Sequence, residues 1–138
     1  LSYLFVYGTL RKGFGHPMAE LLERSGEFFT SGTCKGLLYD LGPYPVFTYT
    51  SALNEDVFGD VYLLHNEHEV LTILDEYEGV GENLETGVAY ERLKLNIESV
   101  DGVNLSAWIY LYLGTLDHLT PIKGGDYLNY ITEGKGDQ

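Results

Sequence analysis

Glu78 is a carboxylate set among apolar residues. At roughly 100° per residue, with Val70 at zero, Ile73 falls at about 300°, Tyr77 at about 340°, Leu74 at about 40° and Leu71 at about 100°. Glu78 falls at about 80°, inside that arc, whereas Asp75 and Glu76 fall outside it. A carboxylate on an apolar stripe loses hydration, which raises its pKa. The pattern ends at Gly79, so Glu78 also sits at a helix C-terminus, where the dipole disfavours negative charge. The net charge of −13 acts in the same direction. A carboxyl brought nearer neutrality suits a proton shuttle. The competing reading is a last-turn charge that escapes to water.

Tyr7-Gly8-Thr9-Leu10-Arg11 is the second candidate. A strand that ends in glycine and feeds a loop presents backbone N–H groups, which can bind a carboxylate or an oxyanion. Gly8 permits close approach of a ligand to the backbone. Arg11 and Lys12 are two of only eight basic residues. The competing reading is an ordinary tight turn. The motif is neither a Walker loop nor a dinucleotide fingerprint.

Other constellations carry less. His65 and His68, near Glu69, read as solvated polar positions rather than metal ligands, and no metal site is expected. His16 and His118 have no readable partner. Ser31, Thr33 and Cys34 lack the surroundings of an activated nucleophile, and a strand cysteine is expected to be buried and inert. Tyr90 and Arg92 share a strand face and either line a pocket or pair as a cation–π neighbour.

These residues need elements to hold them. Residues 3–7 read as a strand and residues 16–24 as a short helix with Met18, Leu21 and Leu22 on one side. Residues 27–41 carry β-formers interrupted by Gly32 and Gly36, giving one or two bent strands. Gly42-Pro43-Tyr44-Pro45 is a rigid turn and residues 57–64 a further strand. Residues 66–78 form the clearest helix, with Asn66 as N-cap and Glu69 in capping-box position. Residues 89–97 and 103–113 make a hairpin around Asp101-Gly102. In its second strand Val103, Leu105, Ala107, Ile109, Leu111 and Leu113 alternate with Asn104, Ser106, Trp108, Tyr110 and Tyr112. With one face aliphatic and the other aromatic, both are expected to be covered, as in a closed or curled sheet. A short helical turn is expected near residues 126–131 and fraying at 134–138. The class is α+β with a small barrel-like sheet.

A chain of 138 residues suits a single domain over 1–138. Lys and Arg number 8 against 21 Asp and Glu, so there is no basic footprint for nucleic acid and none for an anionic membrane. No apolar run approaches the ~20 residues that span a bilayer. No basic region followed by an apolar one opens the chain, so no signal peptide is expected. Cys34, the one cysteine, excludes an internal disulfide and fits a reducing cytoplasm.

Four motifs in order carry a resemblance. They are Tyr7-Gly8-Thr9-Leu10-Arg11; Gly36-Leu37-Leu38-Tyr39-Asp40 leading to Gly42-Pro43-Tyr44-Pro45; Leu74-Asp75-Glu76-Tyr77-Glu78-Gly79; and Tyr90-Glu91-Arg92 with Trp108-Ile109-Tyr110. Across residues 3–112 the chain resembles the γ-glutamylcyclotransferase-like family, most of all its small branch with the γ-glutamylaminecyclotransferases. The resemblance implies a small mixed β-barrel of about six strands flanked by helices. It implies Glu78 as catalytic acid/base and Tyr7, Gly8, Thr9 and Leu10 as the loop that holds a γ-glutamyl group. Tyr44 and Tyr110 are implied as pocket walls. The implied partner is a small-molecule γ-glutamyl substrate, with no cofactor, and no oligomeric state is assigned. The implied reaction is closure to 5-oxoproline with loss of an amine; the alternative is a module that binds a small carboxylate in the same cavity without turnover. One departure is a Gly/Glu-rich loop at residues 80–89, longer than the tightest family pattern, which could cap the cavity and repel acidic leaving groups.

Overall fold

The computed structural model describes residues 2–11, 17–42, 44–49, 55–78 and 90–133, apart from the side chains of Pro17 and Glu78. In chain order these form β1 (Ser2–Val6), α1 (Pro17–Ser25), β2 (Gly26–Asp40), β3 (Pro45–Tyr49), β4 (Asp56–Leu64), α2 (Glu67–Glu78), β5 (Tyr90–Ser99), β6 (Asn104–Tyr112), β7 (Thr120–Pro121) and α3 (Tyr127–Thr132). The expected loop at 80–89 and the expected fraying at 134–138 lie outside the described residues.

Five strands close a barrel in the order β2, β4, β1, β6, β5. The ring is completed where β5 returns to β2, with Gly32 opposite Ser99 and Thr33 opposite Glu98. β1 runs parallel to β6, with Tyr3 opposite Ala107 and Leu4 opposite Trp108. The other pairings are antiparallel. The mixed barrel is therefore as expected, with five strands in the ring and two more attached to β2. β2 can serve all of these partners because it is 15 residues long and bulged between Phe28 and Thr30. Its first part pairs with β4, and Gly36–Asp40 pairs with β3. β7 pairs with Tyr39 and Asp40.

The two-faced pattern of β6 becomes two cores. Ala107 and Ile109 meet Phe5, Cys34, Val57, Val61 and Ile97 in one cluster, to which every barrel strand contributes. This is the barrel interior. Tyr110 and Tyr112 point the other way and join Leu4, Val6 and Leu64 beneath Leu22 of α1 and Val70, Leu71 and Leu74 of α2. Burial on both sides is what the aliphatic–aromatic alternation implied. The strand ends are the exception: Val103 and Leu113 are more than half exposed.

α2 starts directly after Asn66, as expected, but Asn66 and Glu69 meet side chain to side chain rather than through the reciprocal side chain–backbone bonds of a capping box. Asn66 Nδ2 donates to Glu69 Oε2 at 2.8 Å, and the Val70 amide donates to Asn66 O at 3.0 Å. The Ser2 hydroxyl donates to the Glu67 carboxylate, which ties β1 to this helix and holds the carboxyl below its ordinary range. The buried arc is narrower than the periodicity suggested. Val70, Leu71 and Leu74 are buried, whereas Ile73 is 37% and Tyr77 45% exposed. The two exposed residues lie together on one side of the arc, at about 300° and 340°. No described helix is long and apolar enough to cross a membrane.

Candidate active site

β1 ends at Val6, and the chain turns at once. The Arg11 amide donates to Gly8 O at 3.0 Å, closing a turn over Gly8–Arg11. A turn closed this way leaves the amides of its central residues, Thr9 and Leu10, outside its own hydrogen bond. Gly8 is not at positive φ. It is needed for space: a Cβ there would lie 2.6 Å from Pro45 Cγ and 2.8 Å from Cδ. The close approach that the sequence assigned to a ligand is therefore made, on the Cβ side, by the proline that opens β3.

Tyr7, Gly8, Thr9 and Leu10 line a cavity of about 200 Å³ beside the end of β1. Tyr44 and Pro45 wall it from the turn before β3, and Tyr110 from β6. All six substrate-binding residues expected from the sequence are thus brought to one cavity. Tyr77, next to last in α2, and Tyr90, first in β5, complete the wall. Glu78 follows Tyr77 as the last residue of α2; its side chain lies outside the described residues.

Five of the described lining residues are tyrosines, and none is Asp, Glu, Lys or Arg. Such a wall combines apolar area with hydroxyls. Several of these rings are fixed. The Tyr7 hydroxyl donates to Tyr110 O at 2.8 Å, and its ring lies 5.5 Å from that of Phe47. The Tyr90 ring meets Tyr112 edge-on at 5.5 Å. The Tyr110 hydroxyl donates to Asp75 Oδ1 at 2.7 Å. Arg92 Nε donates to the same oxygen at 2.6 Å, and an outer Arg92 nitrogen donates to Oδ2 at 3.0 Å. This hydrogen bond raises the Arg92 guanidinium above its ordinary pKa, so it stays charged. The guanidinium also stacks 4.3 Å from the Trp108 ring centre. The two readings left open for Tyr90 and Arg92 are divided between them: Tyr90 lines the cavity and Arg92 makes the cation–π contact.

Asp75 went unnoticed in the sequence because it falls off the apolar arc. A signal was present. A hairpin centred on Asp101-Gly102 sets Arg92 opposite Tyr110, so one carboxylate on the helix above can reach both.

Tyr90 apart, the weaker constellations among the described residues stay away from the cavity, and His16 lies outside the described residues. Cys34 is buried and its thiol is pushed up to about 12, chiefly by desolvation, so it is inert near neutrality. Ser31 donates to Asp60 at 3.3 Å. His65 lies 3.1 Å from Glu27. No cluster of three potential metal ligands occurs among the described residues.

Residues 4–129 match the family model described as Gamma-glutamyl cyclotransferase, AIG2-like. A Methanocaldococcus jannaschii protein named "putative gamma-glutamylcyclotransferase" is 29% identical over 133 residues, 94% of this chain and 98% of that protein. The crystal structure of YkqA from Bacillus subtilis is similar with a TM-score of 0.70 and 25% identity; the match covers 98% of this chain but only 43% of YkqA. An AIG2-like protein from Mus musculus shares the fold, with a TM-score of 0.69 at 22% identity over 91% of this chain and 88% of that one.

Proposed function

On the premise that the chain belongs to the Gamma-glutamyl cyclotransferase, AIG2-like family, we propose that it cyclises the γ-glutamyl group of a γ-glutamyl amine or amino acid to 5-oxoproline and releases the amine. One observation carries the reading. The loop Tyr7–Leu10, Tyr44 and Tyr110 converge on one cavity with Tyr77, the neighbour of Glu78. The family motifs, far apart in sequence, thus meet where a ligand would sit.

The chemistry asks little of the protein. The substrate's α-amine attacks its own γ-carbonyl carbon, so a C–N bond forms within one molecule. The bond from that carbon to the leaving nitrogen then breaks. Glu78 takes the proton from the attacking nitrogen and returns it to the departing one, and no water is consumed. The walls hold the substrate in its cyclising conformer. The amides of Thr9 and Leu10 supply donors for the substrate carboxylate or for the oxyanion. The five tyrosines supply hydroxyls and apolar area.

The described wall offers no cation to pair with an acidic leaving group. Tyr44 and Tyr77 are partly exposed aromatics of the same wall. A neutral or cationic amine suits such surroundings better than an acidic amino acid.

The test is an assay for 5-oxoproline and amine over γ-glutamyl-ε-lysine, simple γ-glutamyl amino acids, γ-glutamyl alkylamines and glutathione. Wild type runs beside Glu78→Gln, which keeps shape but cannot take a proton. Turnover reduced by about 10²–10⁴ in the variant supports both reaction and residue. Binding of these compounds without turnover would move the reading to a carboxylate-binding module.

A further inference from the structure

α3 has six residues and lies outside every motif that marks the cavity, yet it contacts the supports of both loops that wall it. The approach begins at Ile122, whose amide donates to Leu38 O at 2.9 Å. Gly124 and Gly125 follow with φ of 87° and 68°. The Phe58 amide donates to Gly125 O at 2.8 Å, and a Cβ on Gly125 would lie 2.0 Å from Asp56 O. Only a glycine turn brings the backbone this close to β4. Ile122, Tyr127 and Tyr130 are buried in the barrel cluster, so the segment is docked.

Asp126, the N-cap of α3, faces the first loop. Its Oδ1 accepts from the Asn129 amide at 3.2 Å and from an outer Arg11 nitrogen at 3.0 Å. Arg11 Nε lies 3.6 Å from Oδ2 of buried Asp60. The guanidinium is thus held between two carboxylates, while the Arg11 amide closes the Gly8 turn. Tyr130 faces the second loop. Its hydroxyl donates to Asp40 Oδ2 at 2.9 Å. Oδ1 of the same carboxylate accepts from the Gly42 amide at 2.7 Å, and the Leu41 amide donates to Tyr44 O at 3.1 Å. Asp40 therefore braces the turn that delivers Tyr44 and Pro45.

We infer that α3 is the positioning element of the cavity, with Asp126 holding the Gly8 loop through Arg11 and Tyr130 holding the Tyr44 turn through Asp40. Neither residue lines the cavity. Both act through another side chain, so they are positioning residues. The kinetic part of this inference rests on the proposed function; the structural part does not.

The test uses the full chain and two mild variants. Asp126→Asn keeps a good N-cap and removes the charge opposite Arg11. Tyr130→Phe removes one hydroxyl. Amide hydrogen exchange then reads each loop separately. Asp126→Asn is expected to speed exchange at Arg11 by at least about fivefold and to leave Leu41 and Gly42 unchanged. Tyr130→Phe is expected to do the converse. In the assay above, each variant raises KM by about threefold or more with kcat within about twofold, and Asp126→Glu restores KM. A merely structural role lowers kcat with the folded fraction and leaves KM alone. Exchange unchanged in both loops, or raised equally everywhere, overturns the inference, as does a fall in kcat at constant KM. Should wild type turn over no γ-glutamyl compound, the functional reading falls and the crossed exchange pattern alone decides the role of α3.

Discussion

The Tyr110 hydroxyl and the Asp75 carboxylate are joined at 2.7 Å. The bond links a ring that lines the cavity to the last turns of the helix that ends at Glu78. Arg92 grips the same carboxylate from the neighbouring strand. Three elements are therefore fixed by one side chain.

Asp75→Asn keeps an acceptor but leaves Arg92 without its counter-charge. Both side chains are about a quarter exposed, so water screens the pair. The expected loss is about 1–2 kcal/mol in a urea melt, at the lower end of what charged hydrogen bonds contribute. Arg92→Gln in the same chain should recover part of it. Activity should fall further than stability, by about tenfold in kcat/KM, because Tyr110 loses its brace.

Gly8→Ala forces a methyl group against the Pro45 ring. A proline ring cannot swing aside as a long side chain can. Either the Gly8 loop or the Tyr44 turn must move, at a cost of about 1–3 kcal/mol. Both line the cavity, so ligand affinity measured by calorimetry should drop by at least about tenfold. An unaltered affinity would mean that the spacing of these two walls does not matter.

Replacing Arg11 by Met takes the guanidinium away from Asp60, a carboxylate only 5% exposed. Breaking a buried pair from one side costs about 3 kcal/mol. The second change Asp60→Asn should return much of that, and a double-mutant cycle measures the coupling.

Stability should fall in alkali. Burial pushes Cys34 up from 9.0 and Tyr62 up from 10.0, each to about 12. Both groups are protonated in folded and unfolded chains below about pH 9 and contribute no slope there. Above it the unfolded chain sheds protons that the folded chain keeps. Stability is then lost as pH rises toward the folded values. Thermal midpoints from pH 7 to 11 should be flat with respect to these two groups until about pH 9 and then decline. Cys34→Ala should move the onset up by about one pH unit, to where Tyr62 begins.

The elements were legible where periodicity was strong. The apolar spacing and Asn66 placed α2, and Asp101-Gly102 placed the β5–β6 hairpin. The alternation of β6 announced that both its faces are covered. A closed or curled sheet was legible in that alternation, but which strands close the ring was not, because the Gly32–Ser99 contact joins strands far apart in sequence and leaves no local mark. Of the cavity wall, the glycine loop and Tyr90 were singled out from their residues, Tyr44 and Tyr110 and the shared cavity came from the resemblance, and the place of Tyr77 came only from the fold. Ile73 and Tyr77 fall in the apolar arc yet are exposed, because a fixed angular step carries no sign that the space beside Tyr77 is a cavity. α3 was expected as a short helical turn near residues 126–131, but its contacts to the two loops, like those of Asp75, were missed for a shared reason. Their partners, Arg92, Tyr110, Arg11 and Asp40, lie on other elements, and polar pairs between elements have no period.

The parallel pairing of β1 with β6 has a consequence for the order of assembly. Tyr3 and Leu4 lie beside Ala107 and Trp108, so β1 lacks one neighbour until about a hundred residues more have been made. Arg11 waits longer still, for Asp126. The barrel can begin as the β2–β4 and β1–β4 antiparallel pairs, but the loop that lines the cavity is secured only when α3 docks. Such distant contacts slow folding. They also make the nascent chain incapable of presenting the finished pocket before α3 has been made.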